Sequence, residues 1–149
     1  MKVFSLIFTI FSITALPLHA SDLLTVYKDA NCGCCSKWIE HMQLGGFKVK
    51  VINQDPDLLQ STKDRYKIPT DRRSCHTGII GNYVFEGHIP VDIVTSYLKS
   101  GSKGFGLAVP GMPLGSPGME FGNKKHKYDI YELLDEKKSK VFHTINPKK

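Results

Sequence analysis

The chain has 149 residues, a formal net charge of +6 at pH 7 and 41% hydrophobic residues. This length and composition fit one domain with its own hydrophobic core and exclude a disordered chain. Positive charge would suit a nucleic-acid-binding protein, but the lysines are scattered or crowd the C-terminal region, which is typical of a solvated surface. We therefore expect a single domain without a nucleic-acid partner.

The first twenty residues, MKVFSLIFTIFSITALPLHA, predict a secretory signal peptide. Lys2 gives a short positive start, residues 3–18 are almost continuously apolar, and Ala20 offers a small residue at the cleavage point. An uncleaved N-terminal anchor is the alternative, but the stretch is short for a membrane-spanning helix. We expect residues 21–149 to form a periplasmic domain with 19 basic and 14 acidic side chains, a net charge of +5, and no membrane attachment after cleavage.

The remaining sequence predicts alternating strands and helices. Alternating or short apolar stretches indicate strands, and helical spacing with caps such as Asp55-Pro56 indicates helices. In chain order we predict a strand at 23–27, a helix at 35–44, a strand at 47–53, a helix from Asp55, a hairpin within 76–87, a helix at 90–100, an irregular Gly/Pro-rich segment at 101–122, a strand at 127–134 and a Lys-rich tail. The order β-α-β-α-β-β-α predicts a thioredoxin-like α/β fold, a mixed sheet flanked by helices, with an added C-terminal loop and strand.

Three of the four cysteines lie in the stretch NCGCC, where the first predicted helix begins. Only Cys32 and Cys35 are spaced to close an unstrained disulfide, which leaves Cys34 and the distant Cys75. A helix N-terminus favours thiolate, which serves both disulfide exchange and metal binding. Cys34 favours metal binding, because it would compete with an exchanging pair but can bridge metal ions as a thiolate.

The predicted strand order brings distant residues to the same end of the sheet. The third strand of such a sheet runs antiparallel to the first and starts where the first ends. Cys75 and His76 precede the third strand and His88 follows the fourth, so all three are expected near the cysteine motif. His88 is neutral enough to ligate at neutral pH, whereas His76 ranks second because neighbouring side chains on a strand face opposite ways. His41 lies about two turns beyond the cysteines, ~10 Å along the helix axis, and is too far away.

Two loop methionines favour copper as the metal. Met112 in VPGMPLG and Met119 in SPGMEFG each follow a glycine near prolines. Cysteine with methionine is a ligand set for Cu(I), whereas zinc prefers cysteine and histidine. Packing of the methionines in the core is the alternative for these two residues.

Four motifs in order, CGCCSKWIEHM, SCHTGII, EGHIP and GLAVPGMPLGSPGME, resemble the CopG-like copper-resistance family of small exported bacterial proteins. The resemblance covers about residues 24–134. It implies a thioredoxin-like periplasmic protein that binds copper through its C-x-C-C motif and can hold a multinuclear, cysteine-bridged Cu(I) cluster. By motif match it implies thiolate ligands at Cys32, Cys34, Cys35 and Cys75, and thioether ligands at Met112 and Met119.

The sequence as a whole predicts a periplasmic Cu(I)-binding protein for copper resistance, with His88 added to those six ligands and more than one copper ion bound. Copper transfer to other periplasmic copper-handling proteins or a change of copper oxidation state would extend this role, and whether the protein is an enzyme stays open. Two alternatives remain: a thiol–disulfide oxidoreductase using Cys32 and Cys35, and a structural zinc module held by the four cysteines. No other catalytic set stands out.

Overall fold

A computed structural model describes residues 23–147, and the predicted signal peptide lies outside this range. The helices are α1 (Gly33–Leu44), α2 (Pro56–Arg65) and α3 (Val91–Lys99), and the strands are β1 (Leu23–Lys28), β2 (Lys48–Asn53), β3 (His76–Ile80), β4 (Tyr83–Glu86), β5 (Gly106–Ala108), β6 (Tyr128–Leu133) and β7 (Ser139–Ile145). Within residues 23–147, no helix is both long enough and apolar enough to cross a membrane.

The strands form one mixed sheet in the order β2-β1-β3-β4-β5-β6-β7. Strand β1 is parallel to β2 and antiparallel to β3, and β4 is parallel to β5. The other neighbouring pairs are antiparallel. The chain is therefore a mixed α/β protein, as predicted, and its elements from β1 to α3 follow the predicted order.

Local sequence explains where the helices begin and end. The Asp55 carboxylate accepts the Leu58 N–H at 2.8 Å, and Pro56 occupies the first position of α2. Cys32 caps α1 in the same way, because its sulfur accepts the Cys35 N–H at 3.3 Å. Gly46, just after α1, has φ +93°, a conformation that favours glycine.

The hydrophobic core lies between the sheet and helices α1 and α3. Trp38 and Met42 of α1 are fully buried, and they pack in one cluster with Val94 of α3, Phe85 of β4 and Leu107 of β5. The indole N–H of Trp38 donates to a backbone carbonyl beyond β4, that of Ile89, at 2.8 Å. The core thereby ties the cysteine-bearing helix to the segment that carries His88.

Two expectations for the C-terminal region are wrong. The segment 101–122 is not wholly irregular, since it contains β5, and the Lys-rich tail forms strand β7. The tail turns back because the Asp135 carboxylate accepts the N–H groups of Lys137 and Lys138, each at 2.8 Å. Phe142 of β7 then reaches Tyr97 of α3, with the ring centroids 5.3 Å apart. This aromatic contact and the pairing with β6 hold a strand whose composition is mostly polar.

Candidate metal centre

The C-x-C-C motif begins at the end of the turn after β1, with Cys32, and continues into the first turn of α1. The Asp29 side chain accepts the Asn31 N–H at 2.7 Å, and the Cys32 N–H donates to the Asp29 carbonyl at 3.1 Å, so the turn is tight. Cys32 and Cys35 form a disulfide, with their Cα atoms 5.4 Å apart. Cys34 is a free thiol, half-buried, with its sulfur 3.5 Å from that of Cys32.

Cys75 reaches this turn through the pairing of β1 with β3. The antiparallel register places Lys28, the last residue of β1, opposite His76, the first residue of β3. Cys75 therefore lies at the end of the sheet where the cysteine motif begins, as the sequence predicts. The sulfur atoms of all four cysteines lie within 4.8 Å of one another.

Two histidines lie beside Cys75. The Nε2 atom of His88 is 3.0 Å from the Cys75 sulfur, and its Nδ1 atom is 2.8 Å from the Pro117 carbonyl oxygen. Because that carbonyl can only accept, Nδ1 carries the proton and Nε2 presents its lone pair to Cys75. The Nδ1 atom of His76 is 3.4 Å from the same sulfur.

The position of His76 differs from the expectation that it faces away from Cys75. The alternation rule fails because Cys75 precedes β3 and is free of its pleat. His76 is fully buried, with its ring centroid 4.3 Å from that of Trp38. Its Nε2 atom has no hydrogen-bond partner among the described residues. Cys75, His76 and His88 each offer one ligand atom within 4.8 Å of the others.

Burial sets the protonation of this group. It lowers the pKa of His88 and lowers that of His76 well below its ordinary value, so both imidazoles are neutral at neutral pH. Burial, with Cys34 nearby, raises the pKa of the Cys75 thiol to about 12. A metal ion therefore meets two neutral imidazoles and a protonated thiol at Cys75, and it must displace the thiol proton to bind.

The Gly/Pro-rich loop folds back over the cysteines. The Met112 sulfur is 3.9 Å from the Cys34 sulfur, and the Met112 side chain is 50% exposed. The preceding residue, Gly111, holds the loop to the segment before β3, since its N–H donates to the Arg73 carbonyl at 3.2 Å and its carbonyl accepts the Ser74 hydroxyl. The loop thus brings a thioether to the rim of the thiol cluster.

The second loop methionine, Met119, is anchored through its backbone. Its N–H donates to the Ser116 carbonyl at 2.8 Å, and its side chain is half-buried. The residue before it, Gly118, packs so closely on α1 that a Cβ atom there would lie 2.6 Å from the Cys34 carbonyl oxygen. Within the described residues, the sulfur contact to a cluster thiol comes from Met112.

His41, which is half-buried, has a different role from His76 and His88. Its Nε2 atom accepts the Val91 N–H at 2.9 Å, which caps the start of α3 and joins that helix to α1. This role agrees with the sequence-based prediction that His41 lies too far from the cysteines to be a ligand.

A buried ion pair behind Cys75 was missed by the sequence analysis. The Lys63 ammonium lies 2.6 Å from the Glu86 carboxylate, and both side chains are fully buried. Glu86 also accepts the N–H of Ser74 and the hydroxyl of Thr77, each at 2.6 Å. The pair therefore fixes the backbone next to Cys75. The sequence does not distinguish Lys63 from the other lysines, because its special feature is its position on the buried face of α2.

The donors gathered at this end of the sheet are thiols, a thioether and neutral imidazoles. Such soft and borderline donors bind copper and zinc, and among residues 23–147 no carboxylate joins the cluster, which disfavours magnesium and calcium. Fold and site together define a mixed α/β protein with a cysteine-rich cluster that could bind metal.

Comparisons with known proteins place the chain in a family. A family model described as "Protein of unknown function, DUF411" matches residues 72–119. Two solved structures, described as "Copper resistance protein copG", Form 1 and Form 2, are each 38% identical to this chain, with a TM-score of 0.77. Each match covers 84% of this chain and 98% of the other. A comparison with curated protein sequences finds no match. The chain belongs to the CopG-like copper-resistance family.

Proposed function

We propose that this is a periplasmic, thioredoxin-like protein that binds several Cu(I) ions at a thiolate-bridged site and serves copper resistance. The observation that carries the proposal is the approach of four cysteine sulfurs to within 4.8 Å of one another. The element order from β1 to α3, with the cysteine motif between β1 and α1, supports the thioredoxin-like assignment. The names of the related structures support copper as the metal.

The proposed ligands divide into three kinds. Thiolates are strong, soft ligands that can bridge ions, thioethers are soft and neutral, and imidazole is a borderline donor. The proposed set is Cys32, Cys34, Cys35, Cys75, Met112, Met119 and His88. Four thiolates exceed what one Cu(I) ion needs, so shared sulfurs and more than one ion are expected.

Loading of the full site requires the cysteines in their reduced form. The disulfide between Cys32 and Cys35 removes two of the four thiolates, so a four-thiolate cluster and this disulfide exclude each other. Export through a signal peptide at residues 1–20 would place the domain, residues 21–149, in the periplasm, where disulfides persist. The copper load of the cluster is therefore coupled to the redox state of this pair.

The path of copper follows from exposure. Cys34 is half-buried and Met112 half-exposed, whereas Cys35 and His88 are buried. We propose that copper first meets the sulfurs of Met112 and Cys34 and then passes inward to Cys75, whose thiol proton leaves to solvent. The same exposed pair would hand copper to another periplasmic copper-handling protein.

The proposal is tested by an anaerobic Cu(I) titration of the reduced protein, with X-ray absorption to identify neighbours of the metal. More than one copper per chain, sulfur neighbours and a short copper–copper distance are expected. Cys34→Ser should sharply lower the stoichiometry without changing the circular dichroism spectrum. Less than one copper per chain in the reduced wild type would overturn the proposal.

The second candidate is thiol–disulfide exchange, which the Cys32–Cys35 disulfide at the N-terminus of α1 favours. An exchange enzyme needs neither Cys34 nor Met112. It predicts that Cys34→Ser retains insulin reduction and that Met112→Leu changes nothing. The copper proposal predicts a lower copper stoichiometry in Cys34→Ser and weaker copper binding in Met112→Leu, so the same two proteins distinguish the candidates.

A further inference from the structure

We infer that Cys75, His76 and His88 form a copper subsite within the proposed cluster, which holds one Cu(I) ion while Cys32 and Cys35 are joined in their disulfide. The inference rests on the proposed function for the identity of the metal. It adds a ligand, His76, and assigns a copper-binding state to the oxidised protein, in which a four-thiolate cluster cannot exist.

The geometry of the three residues converges on one point. The Cys75 sulfur lies 3.0 Å from Nε2 of His88 and 3.4 Å from Nδ1 of His76. The two imidazole rings meet edge to face, with centroids 4.9 Å apart. Small side-chain movements would let one sulfur and two nitrogens so placed surround a single ion. Cu(I) accepts such three-coordinate sites.

Each imidazole is held by contacts that do not involve Cys32 or Cys35. The Nδ1 atom of His88 donates to the Pro117 carbonyl at 2.8 Å, which aims Nε2 at Cys75 and is the usual outer-sphere support of a metal-binding histidine. The His76 ring is fully buried against Trp38. The subsite therefore persists when the disulfide forms.

The charge of the bound state favours a monovalent ion. Cu(I) replaces the Cys75 thiol proton, which leaves to solvent, and a sulfur–copper bond forms without any change in oxidation state. One thiolate, two neutral imidazoles and Cu(I) then carry no net charge. A divalent ion would leave one uncompensated positive charge beside two fully buried histidines, which is costly. The net charge of the bound state thus favours Cu(I) over Zn²⁺, whereas the donor types alone suit both ions.

A sulfur-only arrangement competes with this assignment. Cys34 and Met112 remain available when the disulfide is formed, with their sulfurs 3.9 Å apart. Together with Cys75 they would give a site of three sulfurs and no nitrogen. Both of these residues lie toward solvent, whereas the imidazoles are buried and oriented, so we assign the ion to the imidazoles.

The experiment uses Cys32→Ser/Cys35→Ser, which removes the two thiolates without redox ambiguity, and the oxidised wild type with its disulfide verified by mass spectrometry. Both are titrated anaerobically with Cu(I) against a competing chelator and examined by X-ray absorption. We expect one copper per chain with two nitrogen neighbours and one sulfur neighbour. Sulfur-only coordination, or no retained copper, would overturn the inference.

Histidine variants in the Cys32→Ser/Cys35→Ser background give a second readout. His88→Gln and His76→Gln should each weaken Cu(I) binding at least tenfold. His126→Gln, at an exposed histidine, is the matched control and should bind as its parent does. Equal affinity in all three would contradict the subsite. Because His76 is buried, the fold of each variant is first checked by circular dichroism. The number of nitrogen neighbours measured in Cys32→Ser/Cys35→Ser, which keeps its histidines, tests the subsite even if a histidine variant fails to fold.

Failure of this inference is distinguishable from failure of the proposed function. The reduced wild type is titrated in parallel. Several coppers in the reduced wild type and none in Cys32→Ser/Cys35→Ser would refute the subsite alone. One nitrogen-coordinated copper in both proteins would support the subsite and refute the multinuclear cluster.

Discussion

The Cys34 thiol and the Met112 thioether lie 3.9 Å apart although 78 positions separate them in the chain. The first residue belongs to helix α1 and the second to the loop after β5, so only the folded chain joins them. This contact gives the C-x-C-C motif a thioether neighbour, which disulfide exchange does not require. The first two predictions test it.

Replacing Met112 by leucine should weaken Cu(I) binding about tenfold, which corresponds to about 1.4 kcal/mol. Leucine keeps the size and apolarity of methionine but lacks the sulfur. Met119→Leu is the matched comparison and should have a smaller effect, since the contact to Cys34 comes from Met112. Competition with a Cu(I) chelator measures both. An effect confined to Met119→Leu would contradict the proposed approach of copper through Met112.

Replacing Gly118 by alanine should displace the loop and lower both stability and copper affinity. The new Cβ would lie 2.6 Å from the Cys34 carbonyl oxygen, a backbone atom that cannot give way easily, and Gly118 has φ +87°. Gly122→Ala is the control, because Gly122 has φ +59° but nothing lies within 4 Å of its added Cβ. In both variants the free energy of unfolding should fall by about 1 kcal/mol, because alanine is strained at a positive φ. Only Gly118→Ala should also lose copper affinity, as measured by titration.

Much of the fold up to α3 could be predicted, because each element carries a local signal. Asp55 and Pro56 mark the start of α2, and the Gly81-Asn82 turn separates β3 from β4. Strand β7 could not be predicted, since its pairing with β6 depends on distant partners. Val141 and Phe142 form only a short apolar stretch in the sequence, and Tyr97, against which Phe142 packs, lies far away in the chain.

The site was predictable to the extent that strand direction determines it. The antiparallel pairing of β1 and β3 brings Cys75 to the cysteine motif, and this follows from the order of the elements. The orientation of His76 and the buried partner of Lys63 did not follow. Both depend on side-chain packing at the ends of strands, where the alternation of a strand no longer applies.

Copper affinity of the Cys32→Ser/Cys35→Ser protein should rise about tenfold per pH unit near neutrality. Burial raises the pKa of the Cys75 thiol to about 12, so the thiol is protonated throughout this range and each bound Cu(I) releases one proton. Burial lowers the pKa of His88, so that group is already neutral and adds no second proton. Chelator competition at several pH values measures the slope. A flat profile would show that Cys75 does not bind the ion.

Breaking the buried ion pair should be the most destabilising single change considered. Glu86→Gln leaves the Lys63 ammonium buried without a carboxylate, which we expect to cost about 3–5 kcal/mol in the free energy of unfolding. Glu136→Gln is the control, because it breaks the exposed pair with Lys67 and should change stability little. Urea unfolding measures both. The double change Lys63→Met/Glu86→Gln should recover part of the loss, since no unpaired charge remains buried. If the double variant is no more stable than Glu86→Gln, the loss comes from the hydrogen bonds of Glu86 to Ser74 and Thr77 rather than from the stranded charge.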